Sequence, residues 1–390
     1  MIKCASVYTC EIDDPDKAYD ELLSQINEKL VLLDNTVGIV MCHCEFVLSG
    51  TAQYICEKLP FDVAGITTSS QAVNGSANEM MLTIFVMTAD DVFFRAGVTE
   101  SFSSEVYAAT KAAYDKASEG MSELPRLALV FPPLILENAG DIYPNTWGEI
   151  LSNAPVFGTI AIDDTVSFAS SETIFNGKSY RDAMSFVLCY GNIEPRFVVA
   201  ALPENNVMPY QGEVTKADGP FIHEINGVNA YKYFEERGLA KDGLPTDRFL
   251  FVPFMIDLKN RDDYDGVPVM RVLTTFTKDG SAVFRGNVDE KSIFTLSKCT
   301  GEDVISTAME TITKVNQSEK INGMLSFSCI IRRMAQMPNT LGELDSFKAN
   351  TNADIPFMVG YAGGEICPTS VKDGNAANRF HNYSLITLVI

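Results

Sequence analysis

A chain of 390 residues, 46% of them hydrophobic and 21% charged, has enough apolar content to fill two or three domains and too much to remain disordered. Its formal net charge of −21, offset by no Lys/Arg cluster, repels a nucleic-acid backbone and an anionic membrane surface, so neither partner is expected. No apolar run reaches the roughly 20 residues of a membrane-spanning helix, and nine scattered cysteines suit a reducing compartment better than a disulfide framework. The early acids Glu11, Asp13 and Asp14 are unlike the basic start of a secretory signal, and the acidity is common in bacterial cytosolic proteins. A cytoplasmic location is therefore expected.

In chain order, Asp14 caps and Pro15 opens a helix whose residues Tyr19, Leu22, Leu23, Ile26 and Leu30 form one apolar stripe. Val37–Cys42 reads as a buried strand. If the strand continues through Cys42-His43-Cys44, the two thiols face away from the imidazole and cannot share one tetrahedral ion with it, so no metal is expected. A helical stretch from Ser49, a segment 61–68 containing Gly65, and a strand over 80–86 follow. Helical spacing of Val106, Ala109, Ala113 and Ala117 predicts a helix from Ser103 to Ala117. Then come the strand Leu127–Phe131, a helix through Trp147 and Leu151, a segment 154–161 containing Gly158, and a strand over 183–189. The Gly363-Gly364 and Asn74-Gly75 turns lack nucleotide-loop spacing, so no cofactor is expected.

Pro-Glu-Asn-Asn from Pro203 and Lys-Ala-Asp-Gly-Pro up to Gly219 interrupt the periodic pattern, which divides the chain into domains 1–205 and 206–390. Asp279-Gly280 between apolar runs over 269–276 and 282–284 predicts a β-hairpin. Val304, Ile305, Ala308 and Ile312 predict a helix from Thr300 to Val315. The last stretch repeats the layout of the earlier segments: a strand over 324–329, Ile330-Ile331-Arg332-Arg333, a helix carrying Glu343, a segment 355–365 containing Gly360, and a terminal strand after His381-Asn382. Strand to glycine spans 65−42 = 23, 158−131 = 27 and 360−327 = 33 residues, as for units differing by loop insertions. Strands alternating with helices make the fold class α/β, with repeated units forming mixed sheets covered by helices. The three glycines are expected in equivalent strand-end turns.

The stretches Asp14-Pro-Asp-Lys-Ala-Tyr-Asp, Gly158-Thr-Ile-Ala-Ile-Asp-Asp164, Phe175-Asn-Gly177 and Glu224-Ile-Asn-Gly-Val-Asn-Ala230 carry a family resemblance. So do Arg271, Asp279-Gly280, Phe327-Ser-Cys-x-x-Arg332, Gly360-Tyr-Ala-Gly-Gly-Glu365 and His381-Asn382. In this order they resemble the FIST family (F-box and intracellular signal transduction), N-terminal domain followed by C-terminal domain, over nearly the whole chain. The resemblance implies a sensory module that binds small ligands such as amino acids, rather than a known enzyme. It departs in the first unit. There the family carries a Gly-Cys-Thr-x-Gly-Glu turn and this chain reads Gly65-Ile-Thr-Thr-Ser-Ser-Gln71, so the site is expected in the third unit, which keeps Glu365.

The chemistry of that unit fits a small zwitterion. Arg332 offers a rigid fork for a carboxylate, Glu343 and Glu365 could hold an ammonium, and Tyr361 supplies an aromatic wall with a hydroxyl. His381 and Asn382 sit before the terminal strand, where they could orient a ligand, and Cys329 lies at a neighbouring strand end. Two other readings stay open. An Arg-Glu salt bridge would use the same residues to pin two turns together, and Cys329 with His381 would make the nucleophile pair of a thiol-dependent hydrolase or transferase. With no output segment recognisable in the chain, a sensor of this kind would report through a separate protein.

Overall fold

The computed structural model describes residues 1–102, 105–136, 138–165, 167–203, 206–246, 248, 252–258 and 265–390. Three six-stranded mixed sheets form its body and share one plan. In the first, four strands of unit 1 stand in the order Lys3–Thr9, Leu82–Ala89, Asn35–Cys42, Asp62–Thr67. The second orders Val92–Val98, Ser185–Gly191, Leu127–Phe131 and Val156–Thr159, and the third Arg196–Ala200, Leu385–Val389, Met324–Cys329 and Phe357–Ala362. The last two strands of each set run parallel and the others antiparallel, so the α/β reading holds. Each unit begins one strand earlier than the apolar runs suggest. In unit 3 that first strand, Arg196–Ala200, is separated from its fellows by a long insertion.

Each sheet is completed by a hairpin from another unit. Thr173–Phe175 and Lys178–Tyr180 of unit 2 extend the unit 1 sheet, Glu365–Lys372 and Asn375–His381 of unit 3 extend the unit 2 sheet, and Gln71–Val73 and Ser76–Asn78 of unit 1 extend the unit 3 sheet. This cyclic exchange leaves the units interlocked on both sides of the 203–219 interruption, in which residues 204–205 lie outside the described ones.

Backbone hydrogen bonds make the pseudo-threefold arrangement explicit. The N–H of Ser69 donates to Tyr361 O (3.3 Å), that of Ile162 to Thr67 O (3.1 Å) and that of Gly363 to Ile160 O (2.9 Å), closing a ring through all three units. Thr67, Ile160 and Tyr361 are therefore equivalent, and counting back two residues aligns Gly65, Gly158 and Val359. Hairpin register agrees: Gly65 faces Ile174, Gly158 faces Ile366 and Val359 faces Ala72. The expectation for the glycines is corrected on two points. All three lie within strands rather than turns, and Gly360 falls one residue after its supposed equivalents.

The same alignment puts Met41, Phe131 and Phe327 in one position, and all three are fully buried in a single central core. Phe327 packs edge-on to Phe131 at 6.2 Å between ring centroids. Helices cover the outer faces. In Pro15–Lys29 the Asp14 carboxylate accepts from Lys17 N–H at 3.1 Å, and Leu22 and Ile26 are fully buried, each contributing roughly 1.5–3 kcal/mol of apolar burial. The helix Val106–Ala117 begins later than expected, and its expected first residue, Ser103, lies outside the described residues. Thr300 is the N-cap, in a capping box with Asp303, of the helix Gly301–Asn316. No described helix is long and apolar enough to cross a membrane.

The insertion forms its own β-domain around Phe234, Phe254, Phe284 and Phe294. The expected hairpin is present as Leu273–Phe276 paired with Ala282–Phe284, with Gly280 at φ 81° in the turn. Val269–Arg271 instead pairs with Phe254–Asp257. Arg271 ties this domain to units 2 and 3: its guanidinium bonds Asp141 at 2.9 Å and Phe380 O at 2.8 Å, with both ion-pair partners buried.

Candidate functional site

Cys329 ends the strand Met324–Cys329 and sits at the N-cap of a short helix, Ile330–Ala335. The β-branched pair Ile330-Ile331 suggests extended chain, but the strand direction stops at Cys329. The helix turns Arg332 inward to full burial, while Arg333 pairs with Glu79 at 2.8 Å and is 15% exposed.

Arg332 is enclosed by protein acceptors. Nη2 donates to Glu343 Oε1 (2.6 Å), Thr307 Oγ1 (2.9 Å) and Val304 O (3.2 Å), Nη1 to Ala201 O (2.9 Å), and Nε to Glu343 Oε1 and Ser328 Oγ (3.2 Å each). Glu343, also fully buried, accepts from Ser328 Oγ at 2.8 Å through its other oxygen. Gln336 holds the Tyr361 hydroxyl at 2.9 Å, and its Oε1 accepts from Glu343 N–H at 2.8 Å. In place of an open carboxylate clamp, Arg332 and Glu343 thus form the internal ion pair that the sequence left as an alternative. Desolvation requires this: a buried guanidinium persists only where protein acceptors replace water.

Glu365 is different. It is fully buried, and neither carboxylate oxygen has a hydrogen-bond partner of normal geometry. Burial pushes its carboxyl well above the usual carboxylate range, with the Cys329 thiol and the Ser384 N–H on its near side. Asn382 Oδ1 is likewise buried without a partner. A cleft of about 670 Å³ bounded by Asp34, Phe61, Phe94 and Arg95 shares no residue with this cluster.

The Cys-His nucleophile is not assembled among the described contacts. His381 donates from Nε2 to Cys367 O at 3.1 Å, and burial lowers its pKa to about 4. Burial raises the Cys329 thiol far above its ordinary value, which keeps it in the unreactive protonated form. Of the nine cysteines Cys10 alone is exposed. A thiol probe applied to the native protein is expected to modify Cys10 first and Cys329 only on unfolding; mass spectrometry of the labelled peptides reads this, and rapid native labelling of Cys329 would contradict it.

Unit 1 holds a cluster that sequence reasoning missed. Cys42 ends its strand, His43 is the N-cap of the helix Cys44–Leu48 and Cys44 begins that helix, so the strand alternation used to separate these side chains does not apply. His43 Nδ1 accepts from Glu45 N–H at 3.3 Å, with Cys44 Sγ at 3.9 Å, leaving Nε2 to donate to Asp164 Oδ2 at 3.1 Å. His43, Cys44 and Asp164 bring ligand atoms within 4.8 Å of one another, but both ring nitrogens of His43 are already engaged by protein. Asp164 comes from unit 2, 121 residues along the chain, where no local spacing could signal it. By the pseudo-threefold alignment His43 is the counterpart of Cys329, and Gln71, facing Gly360, is the counterpart of Glu365, facing Thr159. The first unit thus carries an amide where the third has its acid.

Three interlocked mixed-sheet units and an inserted β-domain define an α/β module with a buried polar cluster at the strand ends of unit 3. Residues 36–228 match the FIST N domain and residues 228–368 the FIST C domain, and the chain belongs to the FIST family. FIST domains are associated with sensory roles in signal transduction. Comparison with curated proteins finds no match.

Proposed function

We propose that this chain senses a small molecule bearing N–H donors, an amine or amino acid, at the strand ends of unit 3, and reports to a separate output protein. The observation that carries this reading is the set of buried acceptors that no protein donor meets at normal hydrogen-bond geometry: both oxygens of Glu365, with the Cys329 thiol and the Ser384 N–H nearby, and Oδ1 of Asn382. Each such group costs about 1–3 kcal/mol while unmet, and a bound amine would meet several at once. The Cys329 thiol lies beside Glu365 and His381 is its cross-strand partner, while the nearby Arg332–Glu343 pair ties the neighbouring helices together. All nine cysteines are free thiols, which supports a reducing, cytoplasmic setting.

Glu365→Gln tests this reading and copies what unit 1 already tolerates at Gln71. A thermal-shift screen of amino acids, simple amines and small carboxylates is expected to find an amine-bearing compound that raises the wild-type Tm and leaves the variant unmoved. No stabilising compound, or an equal response from Glu365→Gln, would overturn the proposal. The variant also has a pH signature of its own. Because the folded-state pKa of Glu365 is raised, its contribution is complete below the unfolded carboxyl pKa near 4.5 and declines as pH rises. Glu365→Gln should therefore match the wild type in urea unfolding at pH 4 and exceed it at pH 8.

A further inference from the structure

The inserted β-domain carries an apolar cleft of about 430 Å³ walled by Met208, Leu239 and Leu296, and it concentrates positive charge in a chain of net charge −21. Arg237 and Arg248 both line it. The Arg237 guanidinium carbon lies over the Tyr233 ring, 3.5 Å from its centroid, and Nη1 is tethered to Tyr233 O at 2.7 Å. This contact and tether restrain the group before any ligand arrives. Its Nε is buried with no hydrogen-bond partner, an unusual state for a donor that normally finds an acceptor.

Arg248 is exposed, and among the described residues it makes no hydrogen bond or ion pair. Its Nη1 lies 3.1 Å from where a Cβ on Gly238 would stand, so it rests against the residue following Arg237. Gly238 has φ +67°, and a side chain there would displace the guanidinium. The acid among the described lining residues is Glu236, 3.8 Å from Arg237 and 70% exposed, a weak pairing. Among the described lining residues, two guanidinium groups and one carboxylate leave a charge of +1, which suits a monoanion better than a phosphate dianion.

We infer that this cleft binds a small monocarboxylate with a short apolar tail, its carboxylate held between Arg237 and Arg248 and its tail against Met208, Leu239 and Leu296. The site is independent of the Glu365 cluster, which calls for a ligand of opposite polarity. Calorimetric titration of hexanoate into the intact protein at low salt tests it, with hexylamine and inorganic phosphate as comparison ligands. Saturable hexanoate binding is expected, weakened about tenfold or more in Arg248→Ala, as the loss of one charge-assisted bond implies, and in Arg237→Met. Hexylamine should not bind, and phosphate should bind more weakly than hexanoate. Should Arg237→Met fail to fold, the surface variant Arg248→Ala decides. Absence of saturable hexanoate binding, undiminished affinity in Arg248→Ala, or phosphate binding as tight as hexanoate would each overturn the inference.

Discussion

Arg332→Ala is expected to destabilise the fold by about 3–5 kcal/mol, because it strands the buried Glu343 carboxylate among groups that cannot solvate it. The wild-type pair is fully enclosed, with acceptors from the strand end at Ser328, the helix Gly301–Asn316 and the chain at Ala201 converging on one guanidinium. Urea unfolding of the single variant and of Arg332→Met combined with Glu343→Leu separates the worth of the pair from the cost of breaking it. Most of the loss should return in the double variant, since two apolar side chains leave no charge unpaired. A stability change under about 1 kcal/mol for Arg332→Ala would instead mean that the guanidinium has little role in the fold and is available to a ligand.

Gly65→Ala and Gly158→Ala should each cost more than about 3 kcal/mol or abolish soluble folding. A Cβ at either position would stand 1.8 Å from the carbonyl oxygen of its strand partner, Val40 or Val130. That oxygen belongs to backbone and cannot swing away, so the parallel strand pair would have to separate. The stabilisation that alanine brings by restricting the unfolded chain, about 0.4–1 kcal/mol, is too small to offset this. Gly360→Ala should be milder, because its closest neighbour is the flexible Met41 Sδ at 2.9 Å. Thermal unfolding of the three variants side by side checks the order, and equal losses would contradict the register that aligns Val359, not Gly360, with the other two glycines.

Much of the scaffold was legible because it is locally encoded. Buried strands such as Val37–Cys42 and Leu127–Phe131 are continuous apolar runs, and the helix from Pro15 shows its cap and stripe in plain sequence. The exchange of hairpins between units was not read. Asn176-Gly177 and Asp373-Gly374, with φ of 44°, 78°, 51° and 81°, are tight-turn signals of the kind recognised at Asp279-Gly280. Which sheet such a hairpin joins is decided by packing between units, about which turn chemistry says nothing. The helix Ile330–Ala335 was hidden because tertiary burial of Arg332 overrides the extended preference of Ile330 and Ile331.

The site was half legible. Sequence singled out Glu365 and Asn382, which the fold leaves buried with unmet acceptors, and it noticed the missing acid at Gln71, which the fold aligns with Glu365. It could not see that Arg332 spends its donors on Glu343, Thr307, Val304 and Ala201, since those partners are brought together only by the folded helices. His43 and Asp164 were unreadable for the same reason: their contact crosses from one unit to another.

Proton release on binding tests the sensory account most directly. Burial pushes the Glu365 carboxyl well above the usual carboxylate range, which favours its protonated form, and an ammonium docking against it should favour the carboxylate and expel that proton. Calorimetric titration of the amine-bearing compound from the screen, run near pH 6 in two buffers of different ionisation enthalpy, counts the protons exchanged. The account predicts release of about one proton per ligand bound, lost in Glu365→Gln together with the affinity. Tight binding with no proton exchange, unchanged in Glu365→Gln, would contradict it.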